Sequence, residues 1–241
     1  MDTDFSLQQV LKLIEKEQTA VHMVLATGDM ADNGSENAYR RLRDYCKQLP
    51  APAFCVPGNH DNRLAMEAVI NDGKPLVDVI DAGFWQILLL DSQVPGEVGG
   101  HLGVQQLTKL KRQLERAQQA DKHVLIGLHH QPVPVGCAWL DEQMVADADQ
   151  FFSLIEANPQ VRGIIWGHVH QQQDFLRGDI KLMASPSSCV QFAPGSERFR
   201  AEDTAPGYRW LELYADGKIE TGVSRVSGVS FTVDLDSKGY L

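Results

Sequence analysis

The fold is decided by the segment Val161-Arg162-Gly163-Ile164-Ile165-Trp166, which runs straight into Gly167-His168-Val169-His170. The first part has the apolar and β-branched residues of a buried strand, and the second begins with glycine and carries two histidines. Three earlier apolar runs are also followed at once by a polar motif. These motifs are Gly28-Asp29-Met30-Ala31-Asp32, Gly58-Asn59-His60-Asp61 and His129-His130-Gln131-Pro132. Because the carboxyl ends of strands in α/β sheets face a common crevice, the four motifs predict a single site.

Short apolar runs alternate with helical periodicity over the first two thirds of the chain. The pattern predicts strands at residues 21–26, 53–56, 85–90, 123–128 and 161–166, and helices at residues 4–18, 35–49, 63–70, 104–119 and 147–157. Beyond residue 170 the helical patterns stop, and turn residues separate four further strands at residues 174–177, 180–184, 208–214 and 218–226. This order predicts an α/β fold in which two mixed sheets pack face to face with helices outside.

The start and the end of the chain stand apart from this alternation. The first element is a helix with Asp4 as its candidate cap, so we expect the first strand of the fold to be absent. No linker divides the sequence, and residues 1–226 are expected to form a single, N-terminally incomplete domain. Residues 227–241 are expected to form a C-terminal tail.

The composition is that of an ordinary globular protein that acts on a small molecule. The chain has 241 residues, is 43% hydrophobic and 22% charged, and carries a net charge of −10. No basic cluster interrupts this acidity, so binding to nucleic acid or to an anionic membrane is not expected. The cysteines form no CxxC pair, and the first residues lack the apolar run of a signal peptide. These features predict free thiols and a cytoplasmic location.

The residue types of the four motifs suit a centre of two metal ions. The two oxygens of Asp29 can each bind one cation, and the amide oxygen of Asn59 is a hard neutral ligand. Imidazole suits manganese, iron, cobalt and zinc, and extended backbone sends His168 and His170 to different sides. Each motif alone also has an ordinary structural explanation, such as a Gly-Asp turn. Their joint occurrence at strand ends favours the metal centre.

Four other polar residues receive no firm role. His22, His101 and His123 lie outside the motifs and are assigned none. Asp32 either supports the site or forms a surface turn.

The motifs resemble the G-D, G-N-H-[DE], H and G-H-x-H pattern of the calcineurin-like metallophosphoesterase superfamily. Residues 137–141, 185–192 and 205–209 are also similar to segments of bacterial 3′,5′-cyclic AMP phosphodiesterases. The resemblance implies a four-layer sandwich and the hydrolysis of cyclic AMP, a small-molecule cyclic nucleotide, to 5′-AMP. It also implies two divalent ions, iron, manganese or similar, which polarise the phosphoryl group and lower the pKa of the attacking water.

The resemblance implies a metal-binding role for five residues. Asp29 would bridge the two ions, and the first ion would also be bound by His170. The second ion would be bound by Asn59, His129 and His168. The adjacent His130 is the alternative to His129.

The resemblance further implies residues that act on the substrate. The phosphate would contact Asp29, Asn59, His60 and His170. His60 would stabilise the developing charge or protonate the leaving 3′ oxygen, and Asp61 would orient the His60 ring.

One part of the family pattern is missing, the D-x-H motif that supplies the first metal with an aspartate and a histidine. Asp2 and Asp4 are the only candidates near the start, and no histidine follows either at that spacing. We therefore expect one well-bound metal and impaired hydrolysis. The missing strand further predicts either a homo-oligomer sealed at the open sheet edge or a narrower sheet.

Two alternatives stay open at this point. One is a metallophosphoesterase for another phosphomonoester or diester. The other is a catalytically inactive relative that binds nucleotide or metal.

Overall fold

The computed structural model describes residues 1–239, so the last two residues of the expected tail lie outside the described part. Helices occupy α1 Thr3–Glu17, α2 Glu36–Cys46, α3 Arg63–Ile70, α4 Gly103–Gln119, α5 Ala138–Asp141 and α6 Ala148–Glu156. The strands are β1 Val24–Ala26, β2 Ala53–Cys55, β3 Val79–Ala82, β4 Trp85–Leu89, β5 His123–Leu128, β6 Val161–Trp166, β7 Gln173–Arg177, β8 Ile180–Ala184, β9 Gln191–Phe192, β10 Ala201–Glu202, β11 Gly207–Leu213 and β12 Ile219–Arg225.

A six-stranded mixed sheet forms the centre of the fold, in the order β3-β4-β5-β6-β8-β7. Its four inner strands run parallel, and the edge strands β3 and β7 are antiparallel to their neighbours. Parallel neighbours place the carboxyl ends of β5 and β6 side by side. The predicted α/β class with a mixed sheet and flanking helices is therefore confirmed.

A second layer of strands packs on one face of the central sheet. Among the described residues this layer is two separate pairs, parallel β1-β2 and antiparallel β11-β12. Within this part of the chain the second layer is thus divided into two strand pairs, and β1 has a strand partner on one edge only. Apolar side chains fill the space between the layers, among them Ile87, Leu89, Leu125, Ile165, Met183 and Ile219.

Two contacts hold the β11-β12 pair against the central sheet. The guanidinium of Arg209 donates to both carboxylate oxygens of Asp174, at 2.8 and 3.0 Å, and to the carbonyl oxygen of Ala184 at 3.0 Å. Gly163 in β6 leaves room for Ile219, since a Cβ there would lie 2.7 Å from the Ile219 Cδ1. The hairpin therefore sits directly on β6, β7 and β8.

Helices α4 and α6 cover the opposite face of the central sheet. Leu110, Leu114, Phe151 and Ile155 are buried there against its apolar residues. The carboxylate of Asp147 accepts the backbone N–H groups of residues 102 and 103 at 2.9 and 2.8 Å, which caps α4. The apolar core on this face is larger than the one between the two strand layers.

The sequence pattern located the long elements and missed the short ones. β3, α5, β9 and β10 were not predicted, because two to four residues are too few to show a period. The cap of α1 is Asp2, whose side chain accepts the Phe5 N–H at 2.9 Å, and the expected cap Asp4 lies in the first turn. None of the helices within residues 1–239 combines the length and the apolar character needed to cross a membrane.

We predict that the packing between the two strand layers makes a large contribution to stability. Leu125 is 1% exposed between the layers, and Leu176 on β7 is 71% exposed. Leu125→Ala should lower the free energy of unfolding by about 2–5 kcal/mol, because it leaves a cavity in the core. Leu176→Ala is the matched control and should change it by less than about 0.5 kcal/mol. Urea denaturation of both variants is the measurement, and equal losses would contradict the layered core.

Candidate metal centre

The four motifs meet where strands of the two layers end. Asp29 and Asn59 follow β1 and β2 in the second layer, and His129 and His168 follow β5 and β6 in the central sheet. The Nε2 atom of His129 lies 3.2 Å from Asp29 Oδ2, 3.2 Å from Asn59 Oδ1 and 3.2 Å from His168 Nδ1. The structure therefore brings together four of the five expected metal ligands around one small space that both layers border.

Hydrogen bonds outside this space fix which ring nitrogens face it. His129 Nδ1 lies 2.7 Å from the carbonyl oxygen of Thr27, which only accepts, so Nδ1 carries a proton. His168 Nε2 lies 2.9 Å from Gln143 Oε1, which likewise only accepts. In their neutral forms both rings thus turn a lone pair inward, His129 toward Asp29 and Asn59 and His168 toward His129. Four acceptor atoms then converge, and a borderline divalent cation is what such a donor set fits.

The charges of the site in the metal-free chain follow from the same convergence. Burial alone would raise the pKa of Asp29, but the neighbouring His129 outweighs it and holds the pKa well below its ordinary value. Burial likewise lowers the pKa of His129, and Asp29 overcomes this and leaves the pKa raised. Without a metal, a proton on His129 therefore supplies the positive charge that the acceptors need.

His170 lies beside this group and has the features expected of a ligand to another ion. Its buried Nδ1 has no hydrogen-bond partner among residues 1–239. Burial lowers the pKa of His170 to about 4, so the ring is neutral near pH 7 and keeps a lone pair. Phe192 stacks on the ring with the centroids 4.2 Å apart. The other carboxylate oxygen of Asp29, Oδ1, accepts the His60 N–H at 3.0 Å.

Three of the five expected ligands adopt left-handed backbone conformations. The φ angles are 55° at Asp29, 54° at His168 and 49° at His170. Each such residue costs on the order of 1–3 kcal/mol unless its surroundings impose it, and outliers of this kind cluster at functional sites. Close packing imposes the conformation here. A Cβ on Gly58 would lie 2.1 Å from Asp29 Oδ1, and one on Gly28 would lie 2.3 Å from His129 Nδ1.

His130, the sequence-based alternative to His129, has both ring nitrogens engaged elsewhere. The ring nitrogens of His129, His130 and His168 lie within 4.8 Å of one another, so proximity alone does not separate them. However, His130 Nδ1 lies 2.8 Å from Ser92 Oγ, and its Nε2 lies 3.0 Å from the carbonyl oxygen of Val98. The geometry favours His129 as the ligand, and His130 packs edge-on against it.

The two acidic residues near His60 have different partners from those expected. The His60 Nδ1 lies 3.2 Å from the carbonyl oxygen of Asp32 and 3.7 Å from its carboxylate. The carboxylate of Asp61 instead accepts hydrogen bonds from Tyr39 Oη and from the backbone N–H groups of residues 30, 31 and 58. The structure thus places Asp32 beside the His60 ring, and the orienting role of Asp61 stays a prediction. Asp61 joins the two motif loops.

Sequence reasoning missed the residues that orient the ligands. Thr27 acts through its backbone carbonyl, which no side-chain pattern reveals. Gln143 lies outside the motifs and reaches His168 only through the fold. Ser92, also outside the motifs, holds the neighbouring His130. His101 and His123, to which no role was assigned, contact Asp147 and the carbonyl oxygen of Ala215 at 3.5 and 3.2 Å.

Comparisons with known proteins agree with this geometry. The family model described as calcineurin-like phosphoesterase matches residues 2–172. A Pseudomonas aeruginosa protein named 3′,5′-cyclic adenosine monophosphate phosphodiesterase CpdA is 43% identical over 240 residues, covering 100% of this chain and 88% of the relative. The Escherichia coli K12 protein of that name is 39% identical over 237 residues, covering 98% and 86%.

A solved structure shows the same fold at low identity. It is a dimetal phosphatase from Danio rerio with a TM-score of 0.66 and 16% identity, and the match covers 93% of this chain and 89% of that one. At this identity the likeness concerns the fold alone.

We predict that Gly58 is required for the position of Asp29. Gly58→Ala places a Cβ 2.1 Å from Asp29 Oδ1 and 2.4 Å from its backbone nitrogen. The metal-free chain should lose about 1–3 kcal/mol of unfolding free energy through overpacking. Gly99→Ala is the matched control, because its Cβ would meet nothing closer than 3.6 Å. Urea denaturation with chelator present measures both, and an unchanged Gly58→Ala stability would show that the loops are not tightly packed.

We also predict that the metal-free chain loses stability in acid through His130. Burial lowers the pKa of His130 to about 3 in the folded state, against about 6.5 when unfolded. The unfolding free energy that goes with keeping the His130 ring neutral is therefore complete above pH ~6.5. It is lost as the pH falls toward 3, by at most about 1.4 kcal/mol per pH unit.

The measurement is urea denaturation at pH 7, 6 and 5 with chelator present. His130→Phe should make the decline shallower, and His22→Phe, at an exposed position, should leave it unchanged. If the unfolding free energy of His130→Phe falls equally steeply with pH, other groups cause the loss of stability in acid.

Proposed function

Because the chain belongs to the calcineurin-like phosphoesterase family, we propose that it hydrolyses 3′,5′-cyclic AMP to 5′-AMP with the help of divalent metal ions. The observation that carries this proposal is the convergence of two ring nitrogens, a carboxylate oxygen and an amide oxygen at His129 Nε2. The substrate is supported by the names of relatives that this chain matches over 86–88% of their length.

Five residues would hold the metals. One ion would be bound by Asp29, Asn59, His129 and His168, and the other by Asp29 and His170. Bound divalent ions supply positive charge that polarises the phosphoryl group and lowers the pKa of the attacking water. Manganese and iron suit a mixed set of imidazole and oxygen ligands. The unequal ligand numbers support one firmly held ion and a second, weaker one.

His60 would act on the substrate from the edge of this centre. Its side chain is 26% exposed, next in sequence to Asn59, and its backbone N–H donates to Asp29 Oδ1 at 3.0 Å. With Nδ1 directed at Asp32, the ring presents Nε2 on its opposite side. When both ring nitrogens carry protons, the Nε2–H would stabilise the phosphoryl charge or give its proton to the leaving 3′ oxygen. Asp32 would act as the positioning residue for this ring.

The inactive binding protein stays as the second candidate. It is favoured by the small number of ligands proposed for the weaker metal, which are His170 and the shared Asp29. A chain with a single firmly held ion would bind cyclic AMP and turn it over slowly. Another phosphomonoester or diester as substrate is tested in the same assay.

Three further features also stay proposals. Residues 1–226 would form one domain followed by the tail. A homo-oligomer would form along the edge of β1 that faces away from β2, and sedimentation would detect it. A reducing, cytoplasmic location is supported by the four free cysteines.

The decisive experiment measures product formation from cyclic AMP with added Mn²⁺ or Fe²⁺. We expect metal-dependent release of 5′-AMP, and no turnover with excess chelator. A bis-aryl phosphate, a glycerophosphodiester and 5′-AMP itself serve as competing substrates. Preference for one of these would change the assigned substrate, and metal-dependent binding of cyclic AMP without any product would favour the inactive candidate.

We predict one tightly held metal per chain. After loading with Mn²⁺ and dialysis against a mild chelator, elemental analysis should give close to one ion, because four ligands hold it and the other position has two. His168→Ala should lose this ion, and His101→Ala, at an exposed position outside the site, should keep it. Two ions retained per unsubstituted chain would contradict the unequal ligand sets.

We predict that His60 affects turnover and not metal content. His60→Ala should lower kcat by about 10²–10⁴-fold, the usual contribution of a positioned acid or donor. Asp32→Asn should lower kcat less, because the carbonyl oxygen of residue 32 still faces the ring. Elemental analysis accompanies the kinetics in each variant. Loss of metal from His60→Ala would make His60 a ligand.

A further inference from the structure

Gln143 lies outside every motif, yet its side chain reaches the centre of the site. It follows α5, and its backbone is bound on both sides: its N–H donates to the Leu140 carbonyl at 2.9 Å, and its carbonyl accepts the Gly100 N–H at 3.2 Å. From this fixed backbone Oε1 lies 2.9 Å from Nε2 of the buried His168. The segment after α5 thus holds the His168 ring by the nitrogen that points away from the metal site.

Packing fixes the plane of the His168 ring but does not determine which nitrogen carries the proton. The rings of His129 and His130 lie against it with centroids 5.0 and 4.8 Å away. A neutral imidazole carries its proton on either nitrogen, and only a lone pair on Nδ1 can bind a cation beside Asp29. The hydrogen bond to Gln143 selects that arrangement, because an amide oxygen accepts and cannot donate.

The two central histidines are oriented by different means. His129 is held by the backbone carbonyl of Thr27, which no substitution removes. His168 is held by a side chain, which substitution can change. Comparison of the two rings therefore separates an effect on His168 from a general loosening of the site.

We propose that Gln143 is a positioning residue that holds His168 with its proton on Nε2 and its Nδ1 lone pair directed into the metal site. Its effect on metal binding rests on the proposed function. The hydrogen bond itself exists in the metal-free chain and can be tested there.

The first test measures Mn²⁺ affinity by competition with a chelator. Gln143→Leu removes the acceptor and keeps the backbone bonds, and it should weaken Mn²⁺ binding by about 10–100-fold, as is usual for the hydrogen-bond partner of a ligand histidine. Gln143→Glu restores an acceptor and should bind Mn²⁺ about as well as the unsubstituted chain. Gln160→Leu is the matched control, since Gln160 donates to the Leu114 carbonyl at 3.0 Å away from the site. Unchanged affinity in Gln143→Leu would overturn the proposal.

The second test uses nitrogen-15 NMR of the histidine rings in the metal-free chain. The His168 Nε2–H should give a downfield, slowly exchanging proton signal that persists in Gln143→Glu and is lost or moves upfield in Gln143→Leu. The His129 Nδ1–H signal should persist in both variants. A His168 proton found on Nδ1 would overturn the proposal. If the unsubstituted chain binds no Mn²⁺, the proposed function fails, and this spectrum alone decides the role of Gln143.

Discussion

Four lone pairs are directed at one small space between the two strand layers, and in the metal-free chain a proton on His129 supplies positive charge among them. Three acceptors lie 3.2 Å from His129 Nε2, and a lone pair on that nitrogen would repel them unless positive charge lay between them. The surrounding structure keeps them there. Glycines in the loops leave no room for a Cβ, and left-handed backbone at Asp29 and His168 turns the side chains inward. Hydrogen bonds to the Thr27 carbonyl and to Gln143, on the side away from this space, orient the rings of His129 and His168.

The two aspartates near His60 differ in burial and in the groups that they contact. Asp61 is buried and accepts hydrogen bonds from four donors, and burial raises its pKa. These hydrogen bonds engage both carboxylate oxygens of Asp61 and join the loops after β1 and β2. Asp32 is 73% exposed and faces the His60 ring from the solvent side. Under the proposed function, this exposed carboxylate would position a ring that exchanges protons with the substrate.

Much of the site could be predicted from sequence because each motif directly follows a strand. A strand end fixes where the next residues lie. The sequence alone therefore predicts that Asp29, Asn59, His129 and His168 lie close together. The choice between His129 and His130 could not be made that way, since it depends on Ser92 and the Val98 carbonyl. Gln143 could not be found either, because its bond to His168 joins residues 25 positions apart. Which strands pair in the second layer is a matter of backbone hydrogen bonds, which side-chain patterns report poorly.

The ligands come from both layers of the sandwich, and this has a mechanical consequence. Asp29 and Asn59 belong to the β1-β2 layer, while His129 and His168 belong to the central sheet. An ion shared among them is a cross-link between parts of the chain separated by many tens of residues, and such links restrict an unfolded chain most when the loop they close is long. The ion would fasten the layers at one end only. With it removed, that end would be held by the hydrogen bond between His129 Nδ1 and the Thr27 carbonyl and by the His129–Asp29 ion pair.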